Sequence, residues 1–264
     1  MAKNIRICLD VGNTHIHAGL YCNADLVADL RLGANSDTIA ILFELIERNL
    51  KEWGGGNITV VGISSVVAHL NEPLSKMCIE KCGFAPFFIN YLAASNIDFS
   101  AFANPNEIGA DLVAAAAAAA IAVPKANILI VDMGTATTIT AINRCSQFLG
   151  GAILPGINTQ TKTLRAISEN LKTTELTQVD KFVGRNTDDA IKSGVFLGHV
   201  GAVDYLTTNM SVEAFGEEAY QTIITGGLSK FYVEYASKKD LLVMPNLVLD
   251  GIKVILDERD DSIK

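Results

Sequence analysis

The chain has 264 residues, 49% of them hydrophobic, with 29 acidic residues against 21 Lys and Arg and a formal net charge of −8. That balance, with no Lys/Arg stripe, disfavours a surface that neutralises nucleic-acid phosphates, and no charge-free apolar stretch reaches the roughly 18 residues of a spanning helix. Lys3, Arg6, Asn4 and Asp10 precede no small-residue cleavage site, which argues against a secretory signal; the five cysteines (Cys8, Cys22, Cys78, Cys82, Cys145) form neither a disulfide framework nor a zinc ribbon and read as reduced thiols, with a cytoplasmic location expected.

Ile5 to Leu9 is an apolar run ending at Asp10, and Gly12-Asn13 supplies a turn before Ile16 to Leu20 resumes extended character. A third run reaches Leu32, so the opening reads as a β-meander. Asp37 is placed to cap a helix whose Ile39, Leu42, Phe43, Ile46 and Leu50 share one face, and Gly54-Gly55-Gly56 ends it. Ile58 to Ile63 reads as a buried strand, Pro73 as the opening of another helix, and Phe87 to Ile89 as a short strand. Ala114 to Ala120, closed by Pro124, reads as a helix because alanine has the best helix propensity.

The second half begins as the first does. Ile128 to Val131 ends at Asp132, Gly134-Thr135 makes a turn, and Thr137 to Ile142 and Phe148 to Ile153 continue the meander. Asp10 and Asp132 stand 122 positions apart, each closing an apolar strand, which implies an internal duplication of a β-β-β-α unit. Helical periodicity follows over about 158–169 and 187–210, and a strand at Thr222 to Thr225 leads into Gly226-Gly227 and a further helix. The expected division is 1–124 and 125–264, with the linker near Pro124 to Asn127.

Three segments carry chemistry: Asp10-Val11-Gly12-Asn13-Thr14, Asp132-Met133-Gly134-Thr135, and Thr225-Gly226-Gly227. Glycine lets backbone approach a phosphate without a Cβ in the way, and exposed N–H groups with Thr and Asn side chains donate to phosphate oxygens. An acidic residue at a strand end suits the cation that accompanies a nucleotide. Taken singly each is also an ordinary turn; two such units in duplicated meanders, followed by Thr-Gly-Gly, point to a nucleotide site.

These segments, with Gly109-Ala110-Asp111, the run from Gly150 to Gly156, Gly184-Arg185-Asn186-Thr187 and Ser193-Gly194, resemble the serial signatures of type III pantothenate kinases, within the acetate and sugar kinase, heat-shock ATPase and actin superfamily. The resemblance runs from Ile7 to about Leu228. It implies an α/β fold of two duplicated actin-like (ribonuclease H-like) domains, each a mixed five-stranded sheet flanked by helices. It also implies ATP-dependent phosphorylation of the primary hydroxyl of pantothenate, the first step of coenzyme A synthesis. The implied ATP contacts are Asp10, Val11, Gly12, Asn13, Thr14, His15, Ile16, His17, Thr135, Gly226 and Gly227. Asp111 is the implied general base, although Gly-Ala-Asp before a helix is also how an ordinary N-cap looks. Phe102, Gly109, Ala110, Asp111, Leu112 and Thr187 are the implied substrate contacts. Asp132 is the implied ligand of a monovalent cation (potassium or ammonium), with Asp10 reaching Mg²⁺ through water. The resemblance further implies a homodimer, for which the alanine-rich helix is a candidate contact.

The family pattern places an arginine where this chain has Leu112, and often a tyrosine where it has Phe102. Leucine cannot make the paired charge-assisted bonds that a guanidinium offers a carboxylate. Arg165, Lys162 and Arg185 are candidate replacements by sequence position. Two further readings therefore stand beside the kinase: a non-catalytic relative, and a kinase for another small hydroxylated metabolite. His15 and His17 alternate on one strand without a third metal ligand. His69, His199 and Trp53 read as ordinary surface or packing residues, and 257–264 as a solvated tail.

Overall fold

The computed structural model describes residues 3–167, 171, 177, 179, 181–232 and 241–262. The described residues divide into two compact units: Met1–Phe99, Ala103–Ala122 and Leu247–Lys264 in one, Ser100–Phe102 and Val123–Asn246 in the other.

In the first unit β1 (Asn4–Val11), β2 (His15–Cys22) and β3 (Asp25–Gly33) form the expected antiparallel meander; β4 (Asn57–Ser65) then pairs parallel to β1, and β5 (Phe87–Phe88) parallel to β4. The sheet order is β3-β2-β1-β4-β5. Strand alternation turns Ile5, Ile7, Leu9 and Val11 to one face. There they meet Ile39, Leu42, Phe43, Ile46 and Leu50 of α1 (Ser36–Glu52), the helical face that the periodicity predicts. The cap of α1 is Asn35 rather than Asp37: its side chain accepts from Thr38 N at 3.1 Å, while Asp37 sits in the first turn, where its charge suits the helix dipole. Gly54 and Gly55 end the helix in left-handed backbone, and Gly55 N donates to Leu50 O at 2.7 Å.

One sequence expectation shifts in α2 (Ala68–Cys82). Pro73 lies inside the helix rather than at its start, and the helix is held on one face by buried Leu70, Leu74 and Cys78. Tertiary packing outweighs the one backbone bond that proline cannot make. The alanine run forms α3 (Ala110–Ala122), with Val113 to Ala119 all buried.

The second unit repeats the plan. β6 (Asn127–Met133), β7 (Ala136–Ile142) and β8 (Phe148–Pro155) form the meander, and β9 (Tyr220–Thr225) and β10 (Leu242–Val243) extend it in parallel, in the order β10-β9-β6-β7-β8. The match, strand for strand, is what duplication predicts. α4 (Ile157–Ile167) and α5 (Thr187–Phe215) belong to this unit. After Gly227 the described chain makes one 3₁₀ turn, Ser229–Tyr232; the rest of the helix expected there, and residues 168–169 of the preceding one, lie outside the described residues.

The last helix, α6 (Leu247–Ser262), returns to the first unit and packs on α3, with Gly251 against the Ala114 carbonyl. The alanine face is therefore covered within the chain and is not open as a subunit contact. Nor is the start of 257–264 simply a solvated tail: Asp257 pairs with Arg6 at 2.9 Å and with Lys253 at 2.7 Å, and the Arg259 guanidinium lies 4.2 Å from the Phe87 ring centroid, while 263–264 lie outside the described residues. All five cysteines are free thiols.

Candidate functional site

Asp10 closes β1, opposite His17 on β2 and Ser64 on β4. Val11 and Ile16 are fully buried, so their side chains belong to the core and only their backbone can serve a ligand. Gly12 N donates to His15 O at 3.0 Å, closing a turn that leaves Asn13 and His15 exposed. His17 is bonded to β3. Its Nδ1 accepts from Arg31 at 3.3 Å, so the proton is on Nε2 and is donated to Asp29 at 2.7 Å. Burial, and secondarily the Arg31 charge, lower its pKa below the ordinary value, against the pull of Asp29. The contact is therefore a hydrogen bond from a neutral imidazole rather than an ion pair.

Asp111 stands in the first turn of α3, half-buried, and its Oδ1 accepts from Leu112 N at 2.9 Å. Burial pushes its carboxyl above the usual range, with backbone N–H groups opposing. Among the described residues no cation pairs with it. Gly109 is needed beneath it: a Cβ there would run into the Asp111 carboxylate. The same Cβ position lies 3.7 Å from the Val66 side chain, and Val66 N donates to Val11 O at 3.1 Å. Asp111 and the Asp10 turn thus share one end of the first unit's sheet. Leu112, half-buried beside Asp111, brings no charge to this end.

The second unit assembles the other two segments. Asp132 closes β6 between Thr138 on β7 and Thr225 on β9. Gly226 follows with φ +89°, packed so that a Cβ would collide with Asp132 Oδ1 and with the Met133 backbone. Leu228 N donates to Met133 O at 3.1 Å and Ser229 N to Gly226 O at 3.0 Å, locking the two turns together. Gly134 N bonds Ala136 O at 3.0 Å, and the Thr135 carbonyl accepts from Gly156 N at 3.0 Å and Thr159 Oγ1 at 2.6 Å. Thr135 and Gly227 are exposed. Thr187 is exposed at the start of α5, next to the cap Asn186, whose side chain accepts from Asp189 N at 2.8 Å. Phe102 belongs to this unit, packing edge-on against Phe148 with ring centroids 5.8 Å apart.

One buried polar cluster was missed by sequence reasoning. His199 on α5 is a bonded core residue: Thr137 Oγ1 lies 3.0 Å from its Nε2 and Gln160 Nε2 lies 2.8 Å from its Nδ1. No local signal marks it, because its partners are 62 and 39 residues away in sequence.

Among the described residues no three His, Cys, Asp or Glu side chains gather as a metal cage. The His15 and His17 pair gains no third ligand. Oxygen donors at single carboxylates, such as Asp132 and Asp10, suit hard cations that keep water and phosphate oxygens as their other ligands.

The sequence profile described as type III pantothenate kinase matches residues 6–209. The chain belongs to the type III pantothenate kinase family. The type III pantothenate kinase of Legionella pneumophila (strain Corby) is 32% identical over 251 residues, covering 94% of this chain and 96% of the relative. Type III pantothenate kinase 1 of Francisella tularensis subsp. tularensis (strain SCHU S4 / Schu 4) is 32% identical over 262 residues, 96% of this chain and 98% of the relative. Among solved structures, MreB 5 of Spiroplasma citri bound to AMPPNP superimposes with a TM-score of 0.53 at 14% identity, covering 98% of both chains, and supports the fold alone. Membership in the pantothenate kinase family places Asp10, Asp111 and Asp132 all inside the matched span.

Proposed function

We propose that the protein transfers the γ-phosphoryl group of ATP to the primary hydroxyl of pantothenate, the first step of coenzyme A synthesis. The observation that carries the reading is the family match over residues 6–209, a span that includes Asp10, Asp111 and Asp132. The hydroxyl oxygen forms a bond to the γ-phosphorus as the bond to the β-phosphate oxygen breaks. ADP leaves and the hydroxyl proton passes to Asp111. A loose transition state loses that proton late, so a carboxylate suffices as base and positioning supplies most of the acceleration. Burial of Asp111, with no paired cation among the described residues, raises its basicity in the direction the role requires.

The residues proposed to serve ATP and the reaction are those of the Asp10–His17 segment, Asp111, Asp132, Thr135 and Gly226-Gly227. Asn13, Thr14 and Thr135 donate to phosphate oxygens, and Gly226-Gly227 offers a flat surface to the nucleotide. Asp132 would hold a monovalent cation (potassium or ammonium), and Asp10 would serve Mg²⁺, less directly, through water; such ions would neutralise charge on the transferring phosphoryl group. Gly109, Ala110, Asp111, Leu112, Phe102 and Thr187 are the proposed substrate contacts. The working form is a cytoplasmic homodimer.

Leu112 favours a second reading, a kinase for another small hydroxylated metabolite. ADP release measured with and without pantothenate, in potassium and then sodium buffer, tests the first. Pantothenate-dependent release supports it. Release that needs a different hydroxy acid or sugar from a panel favours the second, and none with any acceptor favours a non-catalytic relative.

A further inference from the structure

The Gln160 side chain settles the proton on His199. Its Nε2 donates to Pro155 O at 2.9 Å, and a carbonyl only accepts, so that atom is the amide nitrogen. The same nitrogen faces His199 Nδ1 at 2.8 Å, which must therefore be the bare, accepting nitrogen. The proton is on Nε2 and is donated to Thr137 Oγ1. The imidazole thus ties α5 to β7 on one side and to α4 on the other.

Both partners adjoin the Gly134–Ala136 turn. Thr137 follows it directly. Gln160 follows Thr159, whose hydroxyl bonds the Thr135 carbonyl, and Gln160 N is itself bonded to Gly156 O at 3.0 Å. We propose that His199 is a positioning residue whose neutral imidazole clamps Thr137 to Gln160 and so holds the Thr135 turn in its nucleotide-binding shape. A proton on Nδ1 would set a donor against the Gln160 donor and open the clamp. Among the described residues, the groups facing the ring are Thr137 from β7, Gln160 from α4 and the Tyr232 ring, 6.3 Å away between centroids. None of these is an acid that would compensate an imidazolium, and burial lowers its pKa accordingly.

The inference rests on the reading of the Thr135 turn as an ATP contact, and the test separates the two. His199→Gln reproduces the neutral ring, one acceptor and one donor, but takes up no proton. Two readings are made between pH 7.5 and 5.0: calorimetric affinity for AMPPNP with Mg²⁺, and amide hydrogen exchange over 133–138 and 155–160. Comparison with the variant at each pH cancels titration of the nucleotide and the intrinsic pH dependence of exchange. As His199 takes up its proton on acidification, the wild type should lose AMPPNP affinity, and exchange those amides faster, relative to His199→Gln, with no difference at pH 7.5. Thr137→Val should loosen the same amides at pH 7.5 already. Equal exchange in wild type, His199→Gln and Thr137→Val throughout the pH range overturns the proposal. A pH-dependent change in exchange with no binding of AMPPNP by the wild type would uphold the clamp and sink the nucleotide reading instead.

Discussion

Gly226 is folded against Asp132 so closely that the carboxylate occupies the space a Cβ would need, in backbone (φ +89°) that L side chains rarely adopt. The last glycine turn and the second acidic turn are therefore one structural object. Gly226→Ala must both strain the backbone and push Asp132 away, at a cost of about 1–3 kcal/mol. Thermal unfolding should show the loss as a lower Tm, and AMPPNP titration should show weakened binding. Unchanged values for both would mean that the two turns adapt independently.

Asp111 makes opposite predictions for stability and for activity. A carboxyl whose folded pKa is raised contributes stability below its unfolded pKa and loses it as pH rises through the folded value, so ionised Asp111 burdens the fold at neutral pH. Asp111→Asn should raise Tm at pH 7.5 and lower kcat by about 10²- to 10⁴-fold, with AMPPNP affinity kept. The two effects in one variant distinguish a poised base from a helix cap, for which Asn substitutes and leaves Tm and kcat unchanged.

The acid limb of the kcat/KM profile should report the same group. Activity should fall, with decreasing pH, through a midpoint above the ordinary aspartate value, because the base must be ionised to accept the proton. A midpoint at or below that value would remove the argument from burial.

Gly109→Ala should reorient the Asp111 carboxylate without touching the second unit. The expected outcome is a lower kcat at unchanged AMPPNP affinity, measured by steady-state kinetics and calorimetry. Loss of nucleotide affinity instead would point to general misfolding.

Leu112→Arg restores a cation to the first turn of α3. If pantothenate is the substrate, its KM should fall by about tenfold, the scale of a charge-assisted hydrogen bond to a carboxylate. An unchanged or higher KM would show that the carboxylate does not approach this end of the helix.

Local chemistry and periodicity determined much of this protein. The period-two runs ending at Asp10 and Asp132, and the helical spacing of Ile39, Leu42, Phe43, Ile46 and Leu50, are written over a few consecutive residues, because alternation and 3.6-residue repeats are properties of the local backbone. The repeated order of acidic turns makes the duplicated plan legible in the sequence. What depends on distant neighbours was silent. The return of α6 to the first unit, the tolerance of Pro73, the seat of Gly226 on Asp132 and the bonding of His199 to Thr137 and Gln160 each bring together segments far apart in sequence or outweigh a local preference. Only tertiary packing decides which buried polar groups find partners. Burial makes an unpartnered group costly, so that choice fixes the tautomer of His199 and the basicity of Asp111.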